Sequence, residues 1–233
     1  MFWWRNEVQP GVSVAFTDTG AGNLALHVGD DPGEVRQRRA RLEEAAGLGA
    51  RRFQYMDQVH GNAVALIESM SSTAAPTADA MVSTTQPLAV MVADCVPVVL
   101  VGDAASGRSP VTAVVHAGRP GVASRVVPAA VVEMRRAGAE EIRAWIGPSI
   151  CGSCYEVTEF LREEVAAVEP STWATTSWDT PALDLPAGVS AQLRSEGVRI
   201  EYSGGCTLEN GKLFSYRRNK ETGRFAGLVW THE

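Results

Sequence analysis

The sequence predicts an α+β fold, a single domain of mixed β-sheets flanked by helices and spanning residues 1–233. Three observations lead there. Many short segments are rich in β-branched or aromatic residues and end in Gly, Pro or Asn, the signature of strands. A few longer stretches carry the 3.6-residue period and the start and stop signals of helices. The two kinds do not follow the strict βαβα order of a doubly wound sheet, and no repeat, linker or low-complexity block divides the chain.

The expected strands are residues 12–16, 52–58, 63–67, 89–93, 96–101, 111–115, 142–146, 198–202, 213–216 and 225–230. The last two are expected to pair as a hairpin closed across Lys220-Glu-Thr-Gly223. A first helix follows Asp31-Pro32-Gly33-Glu34, which supplies a cap, a first-turn proline and an acid at N3. Its apolar face runs through Val35, Leu42 and Ala46, and Gly47 is a natural stop. Arg39 falls on that same inward face, either as a snorkelling stem at the helix edge or as a buried cation with a partner. A second helix follows Gly121 and is expected to be interrupted or kinked at Pro128. A third runs through Val157, Phe160, Leu161, Val165 and Val168. The Ser/Thr/Ala-rich residues 69–78 read as a surface loop.

At 233 residues the chain can bury one sizeable core, and 45% hydrophobic with 21% charged residues is ordinary for a globular protein. Basic residues number 21 against 27 acidic, a net charge of −6. That sign argues against nucleic acid or an anionic membrane as partner. A small anion such as phosphate needs only one or two cations and stays open. The N-terminus lacks the pattern of a signal peptide, and the apolar run 88–101 contains Asp94 and Pro97, too short and interrupted for a membrane span. Four cysteines without export point to reduced thiols and a cytoplasmic setting. Protein partners are not legible.

The four histidines are His27, His60, His116 and His232. His60, in Gln58-Val-His-Gly61, and His116, in Val115-His-Ala-Gly118, both end apolar strands beside a glycine, where a ligand can approach the backbone. Either alone is better explained as a hydrogen-bonded imidazole. Cys95 adds to them: it lies in Ala93-Asp-Cys-Val-Pro97, where Pro97 forces a strand to bulge or end. Asp94 there would cost several kcal/mol unless paired, hydrogen-bonded or near a metal. Two imidazoles and a thiolate make a three-ligand site with one open position, the arrangement of catalytic zinc. Their spacing alone carries no metal signature. Cys151 and Cys154 form a C-x-x-C, but a zinc ribbon needs a second such pair. Both read as neighbours at a turn, with redox activity as the alternative, and Cys206 is expected to be buried. His27 would line the site or cap a turn.

Gln58-Val-His-Gly61, Ala78-Asp-Ala80, Ala93-Asp-Cys-Val-Pro97, Val115-His-Ala-Gly118, Trp145-Ile-Gly-Pro148, Tyr155-Glu-Val157 and Phe214-Ser-Tyr-Arg-Arg218 occur in that order along the whole chain. Together they resemble the bacterial YfiH-like proteins, also called laccase-domain or peptidoglycan-editing-factor proteins. The resemblance implies an α+β fold, zinc at His60, Cys95 and His116, and phosphorolysis of adenosine, inosine, guanosine or methylthioadenosine, with adenosine deamination as a second activity. Purine nucleosides and phosphate would be the partners, with copper able to take the place of zinc. The chain departs from the family in two places. Trp-Arg-Gly after the His-Ala-Gly motif is here Arg119-Pro120-Gly121, and an Arg-containing N-terminal loop is shortened to Thr17-Asp-Thr-Gly-Ala-Gly22.

Zinc suits both implied reactions because it lowers the pKa of a bound water toward ~7. Deamination also needs a proton shuttle, for which Asp94 and Glu156 are the candidates. Arg39, Arg119 and Arg217 are the candidate cations for phosphate, Arg217 being equally well read as part of an exposed face. Two other readings compete. Cys95 with His60 or His116 as base would be a hydrolase of cell-wall or peptide amides. A copper-dependent polyphenol oxidase would share the His₂Cys ligand set, but four histidines cannot build a trinuclear copper cluster.

Overall fold

The central strands are apolar on both faces because each of the two main sheets is covered on both sides there. In the computed structural model, which describes residues 1–68, 75–104 and 109–232, the elements in chain order are β1 (Phe2–Gln9), β2 (Val12–Thr17), α1 (Pro32–Ala46), β3 (Val64–Leu66), β4 (Ala80–Ser83), β5 (Leu88–Val92), β6 (Val96–Ala104), β7 (Val111–Ala117), α2 (Arg119–Ala123), α3 (Val126–Arg136), β8 (Ala139–Ile146), α4 (Glu159–Val168), β9 (Trp173–Thr175), β10 (Pro181–Leu183), α5 (Leu185–Ser195), β11 (Arg199–Ser203) and β12 (Phe225–Thr231). One sheet has the order β1-β2-β12-β5 and is antiparallel throughout. The other has the order β11-β8-β6-β7-β4-β3, with the outer pairs β11/β8 and β3/β4 parallel. Strands β9 and β10 form a small hairpin.

Period-two alternation assigns the layers. In β2, Val12, Val14 and Phe16 point between the sheets, where they meet Met81, Val99, Val114 and Trp145 of the six-stranded sheet. Ala15 points the other way and packs, with Met91, Leu228 and Trp230, against Leu42 and Ala46 of α1. Val98, Leu100, Ala113 and Val115 face outward from the six-stranded sheet onto Val127, Val131 and Met134 of α3 and Val189 and Leu193 of α5. The result is helix, sheet, sheet, helix. The α+β class is as the sequence predicts.

Helix α1 has the expected signals: the Asp31 side chain accepts from Glu34 N at 2.9 Å, and Gly47 ends the helix at φ 76°. Other elements differ. Residues 52–58 are not a strand; Gln54 bridges to Leu88 of one sheet and Asp57 to Thr77, just before β4 of the other, so the segment crosses between sheets. Residues 213–216 are irregular rather than a strand; they follow the stretch 207–213, whose Thr207 (2.8 Å) and Leu208 (3.1 Å) carbonyls accept from the guanidinium of Arg218. The expected terminal hairpin therefore does not form, and β12 inserts between β2 and β5. The break after Gly121 falls at Arg125 (φ 63°), while Pro128 sits in the first turn of α3, where a missing N–H does little harm. Helix α4 begins after Thr158, and its Phe160 is 72% exposed and Val168 48%, so its stripe packs mainly through Val165 and Ala166. Strand β1 and helix α5, the latter capped by Asp184, were not expected. Of the anticipated loop 69–78, residues 69–74 lie outside the described residues.

A candidate metal centre

One buried carboxylate builds most of the site. Asp79, fully buried just before β4, accepts hydrogen bonds from the backbone N–H groups of Val59 (3.3 Å), His60 (2.9 Å) and Gly61 (2.7 Å). These bonds curl the loop so that His60 adopts a left-handed conformation, φ 62°. Asp79 Oδ1 also lies 2.8 Å from Nδ1 of His116, near the end of β7. A proton on that Nδ1 leaves the opposite ring nitrogen with its lone pair free for a metal. The two imidazoles meet edge to face with centroids 4.6 Å apart.

Cys95 sits at the turn from β5 into β6, with Asp94 before it at φ 85°. Its Sγ lies 3.8 Å from His60 Nε2, and the ligand atoms of His60, Cys95 and His116 all lie within 4.8 Å of one another. A tetrahedral zinc would place such a sulfur and nitrogen about 3.6 Å apart. The three side chains fit the ion, with His60 exposed, Cys95 half-buried and His116 buried. Gly118 is part of the fit: a Cβ there would stand 2.7 Å from His60 Cδ2 and 3.1 Å from Cys95 Sγ. The glycine of His-Ala-Gly thus makes room for the ligands themselves.

The charges are poised without a metal. Burial would push the Cys95 thiol up, but the adjoining His116 and then His60 outweigh it and bring it down to about 6. For His116 burial lowers the pKa, while the Cys95 thiolate and Asp79 raise it to about 9. Cys95 and His116 are then a thiolate–imidazolium pair.

The centre opens into a pocket of about 400 Å³, a size suited to a small ligand. Ile150, Leu185, Tyr155 and Tyr216 give it apolar and aromatic walls, and Arg119 and Arg217 give it cations. Asp94 also lines it, with both oxygens engaged: Thr207 Oγ1 donates at 2.6 Å and Arg217 N at 2.7 Å. Burial raises the Tyr155 pKa, as does the charge of Cys95, against Arg217 and Arg119. Arg217 lies over the Tyr155 ring, 4.6 Å from its centroid, and donates to the Glu156 carbonyl at 2.7 Å. Glu156 itself is exposed, its carboxylate accepting from Trp178 Nε1.

Arg39 and His27 do not line this pocket. Arg39 does point inward: its Nε donates to Leu24 O at 2.9 Å and its guanidinium stacks on Tyr55, 3.6 Å from the ring centroid. His27 is exposed, its pKa lowered by partial desolvation and then by Arg224, against Asp57. Arg224 joins the two regions, because burial lowers its pKa while Cys95, Asp94 and Tyr216 hold it up. Asp79 and Arg224 were missed from sequence. Asp79, an acid beside the apolar run 80–82, carried the same signal that singled out Asp94.

The sequence pattern of the multi-copper polyphenol oxidoreductase laccase family matches residues 5–232. The chain belongs to that family. Among YfiH-like relatives, a purine nucleoside phosphorylase of Streptomyces coelicolor is 46% identical over 94% of this chain and 96% of that one. One of Mycobacterium tuberculosis is 44% identical over 94% and 88%. The crystal structure of YlmD from Geobacillus stearothermophilus, a YfiH-like protein at 29% identity, superposes with a TM-score of 0.82 over 96% of this chain and 93% of that one. Neisseria meningitidis protein NMB0706 gives 0.84 at 28% identity, covering 100% and 99%. The resemblance carried by the seven motifs is thus confirmed, and with it the fold. The laccase in the family's name finds only two histidines and one cysteine at this centre.

Proposed function

We propose that the chain is a zinc-dependent purine nucleoside phosphorylase with adenosine deaminase activity, acting in the cytoplasm as one catalytic domain over residues 1–233. The observation that carries it is the convergence of two imidazoles and a thiolate, braced by Asp79, on a pocket with aromatic walls and cations. Relatives at 44–46% identity named purine nucleoside phosphorylase support the substrate class. Tyr155 and Tyr216 offer faces to a purine, and Arg119 and Arg217 offer donors to phosphate. Arg39 and Arg224, beside the neutral His27, form a second cationic region that biases the approach of the same anion. Zinc, when bound, supplies Lewis acidity at its open fourth position, and copper, which binds such donors tightly, can replace it. Asp94 positions Cys95 and the Arg217 backbone, since its oxygens are already engaged. Glu156, exposed in the adjoining cleft it shares with Arg119, Tyr155 and Arg217, accepts from Trp178 through one oxygen and is the carboxylate offered for proton transfer.

A second reading has its own observation. Cys95, His116 and Asp79 line up as a thiolate, imidazole and carboxylate, the order of a cysteine hydrolase. His60 beside the same sulfur argues for a ligand set instead. Zinc analysis, with chromatography of adenosine incubated with and without phosphate, decides between them. Cys95→Ser, His60→Ala and His116→Ala should each lose the zinc of this centre and both activities together. Turnover surviving verified metal removal, with Cys95 alkylated by iodoacetamide, would support the hydrolase and sink the zinc enzyme.

A further inference from the structure

The C-x-x-C of Cys151 and Cys154 has a partner after all. Cys206 and Glu209 stand on a second turn with the same two-residue spacing, and the four ligand atoms all lie within 4.8 Å of one another. Each turn is fastened to the other by backbone. Ser149 and Cys206 form a bridge, with Ser149 N donating to Gly205 O at 3.2 Å and Thr207 N to Ser149 O at 3.0 Å. The first turn is tight, Cys154 N and Tyr155 N both donating to Cys151 O at 3.0 and 2.9 Å. Cys151 N–H donates across to Cys206 Sγ at 3.5 Å, and Cys154 Sγ donates to Glu209 Oε1 at 3.4 Å. All the cysteines are free thiols.

We propose that Cys151, Cys154, Cys206 and Glu209 bind a second, structural zinc ion. Two short turns held face to face, each giving two ligands, are how a ribbon-type zinc site is built, with Glu in the place of the fourth thiolate. Tetrahedral zinc would set the sulfurs about 3.8 Å apart, so rotamer shifts of about an ångström close the shell. Each thiol gives up its proton on binding. A single disulfide would leave one of the three thiols and the carboxylate unused. The ion would act on the pocket at a distance: its two turns carry Ile150 and Tyr155, which line it, and Thr207, which holds Asp94 beside Cys95. It is therefore a staple of the pocket wall.

The test uses full-length protein made with ample zinc under reducing conditions. Wild type should carry about two zinc ions per chain, His116→Ala about one, and Cys151→Ser/Cys154→Ser about one. Should the double variant fail to fold, cobalt loading of Cys95→Ser decides. That protein has no thiolate at the first centre, so a thiolate-to-cobalt charge-transfer band is expected from the second. Absence of that band, or a single zinc in wild type retained by Cys151→Ser/Cys154→Ser, overturns the proposal. So does a bridge between these cysteines found by mass spectrometry of reduced-purified, alkylated protein.

Discussion

At the scale of single residues, Asp79 matters as much as the histidines it holds. Its carboxylate takes three backbone N–H groups and one imidazole, four donors in all. Asp79→Asn removes the charge and turns an NH₂ toward donors, so zinc affinity should fall roughly 10–100-fold with the fold intact; chelator competition and circular dichroism measure the two. The Cys95–His116 pair predicts a proton count. Without metal, Cys95 is ionised above about 6 and His116 keeps its proton up to about 9. Zinc must displace the His116 proton throughout that window, so about one proton is released from the pair per ion, and affinity weakens roughly tenfold for each unit of acidification. Below about 6 Cys95 must also lose its proton, and the dependence steepens. Calorimetry in buffers of different ionisation enthalpy reads this directly; a pH-independent affinity would contradict the pairing. That His60, Cys95 and His116 belong together was legible because imidazoles and a thiol at strand ends beside Gly and Pro are poor packing choices, and the three do converge. Arg224 was not, since nothing local marks which arginine a distant turn will approach.

At the scale of elements, termini carried the clearest signals. Helix α1 was readable from Asp31-Pro32 to Gly47 because caps are local chemistry. Asp31→Ala leaves Glu34 N without its acceptor and should cost about 1 kcal/mol in urea unfolding, with zinc content unchanged. Strand partners were less legible. The hairpin expected for residues 213–230 rested on proximity in sequence, whereas Arg218 ties the chain back onto the stretch just before it, bonding the carbonyls of Thr207, Leu208, Asn210 and Leu213. Segment 52–58 had strand-like residues, yet it serves two sheets in turn and belongs to neither. The periodicity of α4 was real but marks the edge of the molecule, where an apolar stripe is only half covered.

For the whole molecule, the core between the sheets is the joint. Phe16, fully buried there, stacks on Tyr202 at 5.9 Å and meets Trp4 at 6.2 Å. Phe16→Ala should cost about 3–5 kcal/mol, and because both sheets share that core the loss should appear as one shifted transition. Two separate transitions would mean that the sheets fold independently. The class was legible from strand and helix signals together; the layering was not, because a strand apolar on both faces does not say what covers each. The place of β12 has a consequence for synthesis. It fills the gap between β2 and β5, two strands translated long before it. From Val92 to Phe225 a ribosome working at 5–20 residues per second needs roughly 7 to 27 seconds. Throughout that interval the nascent protein displays two open strand edges, a vulnerable window that ends only when the missing slat slides home.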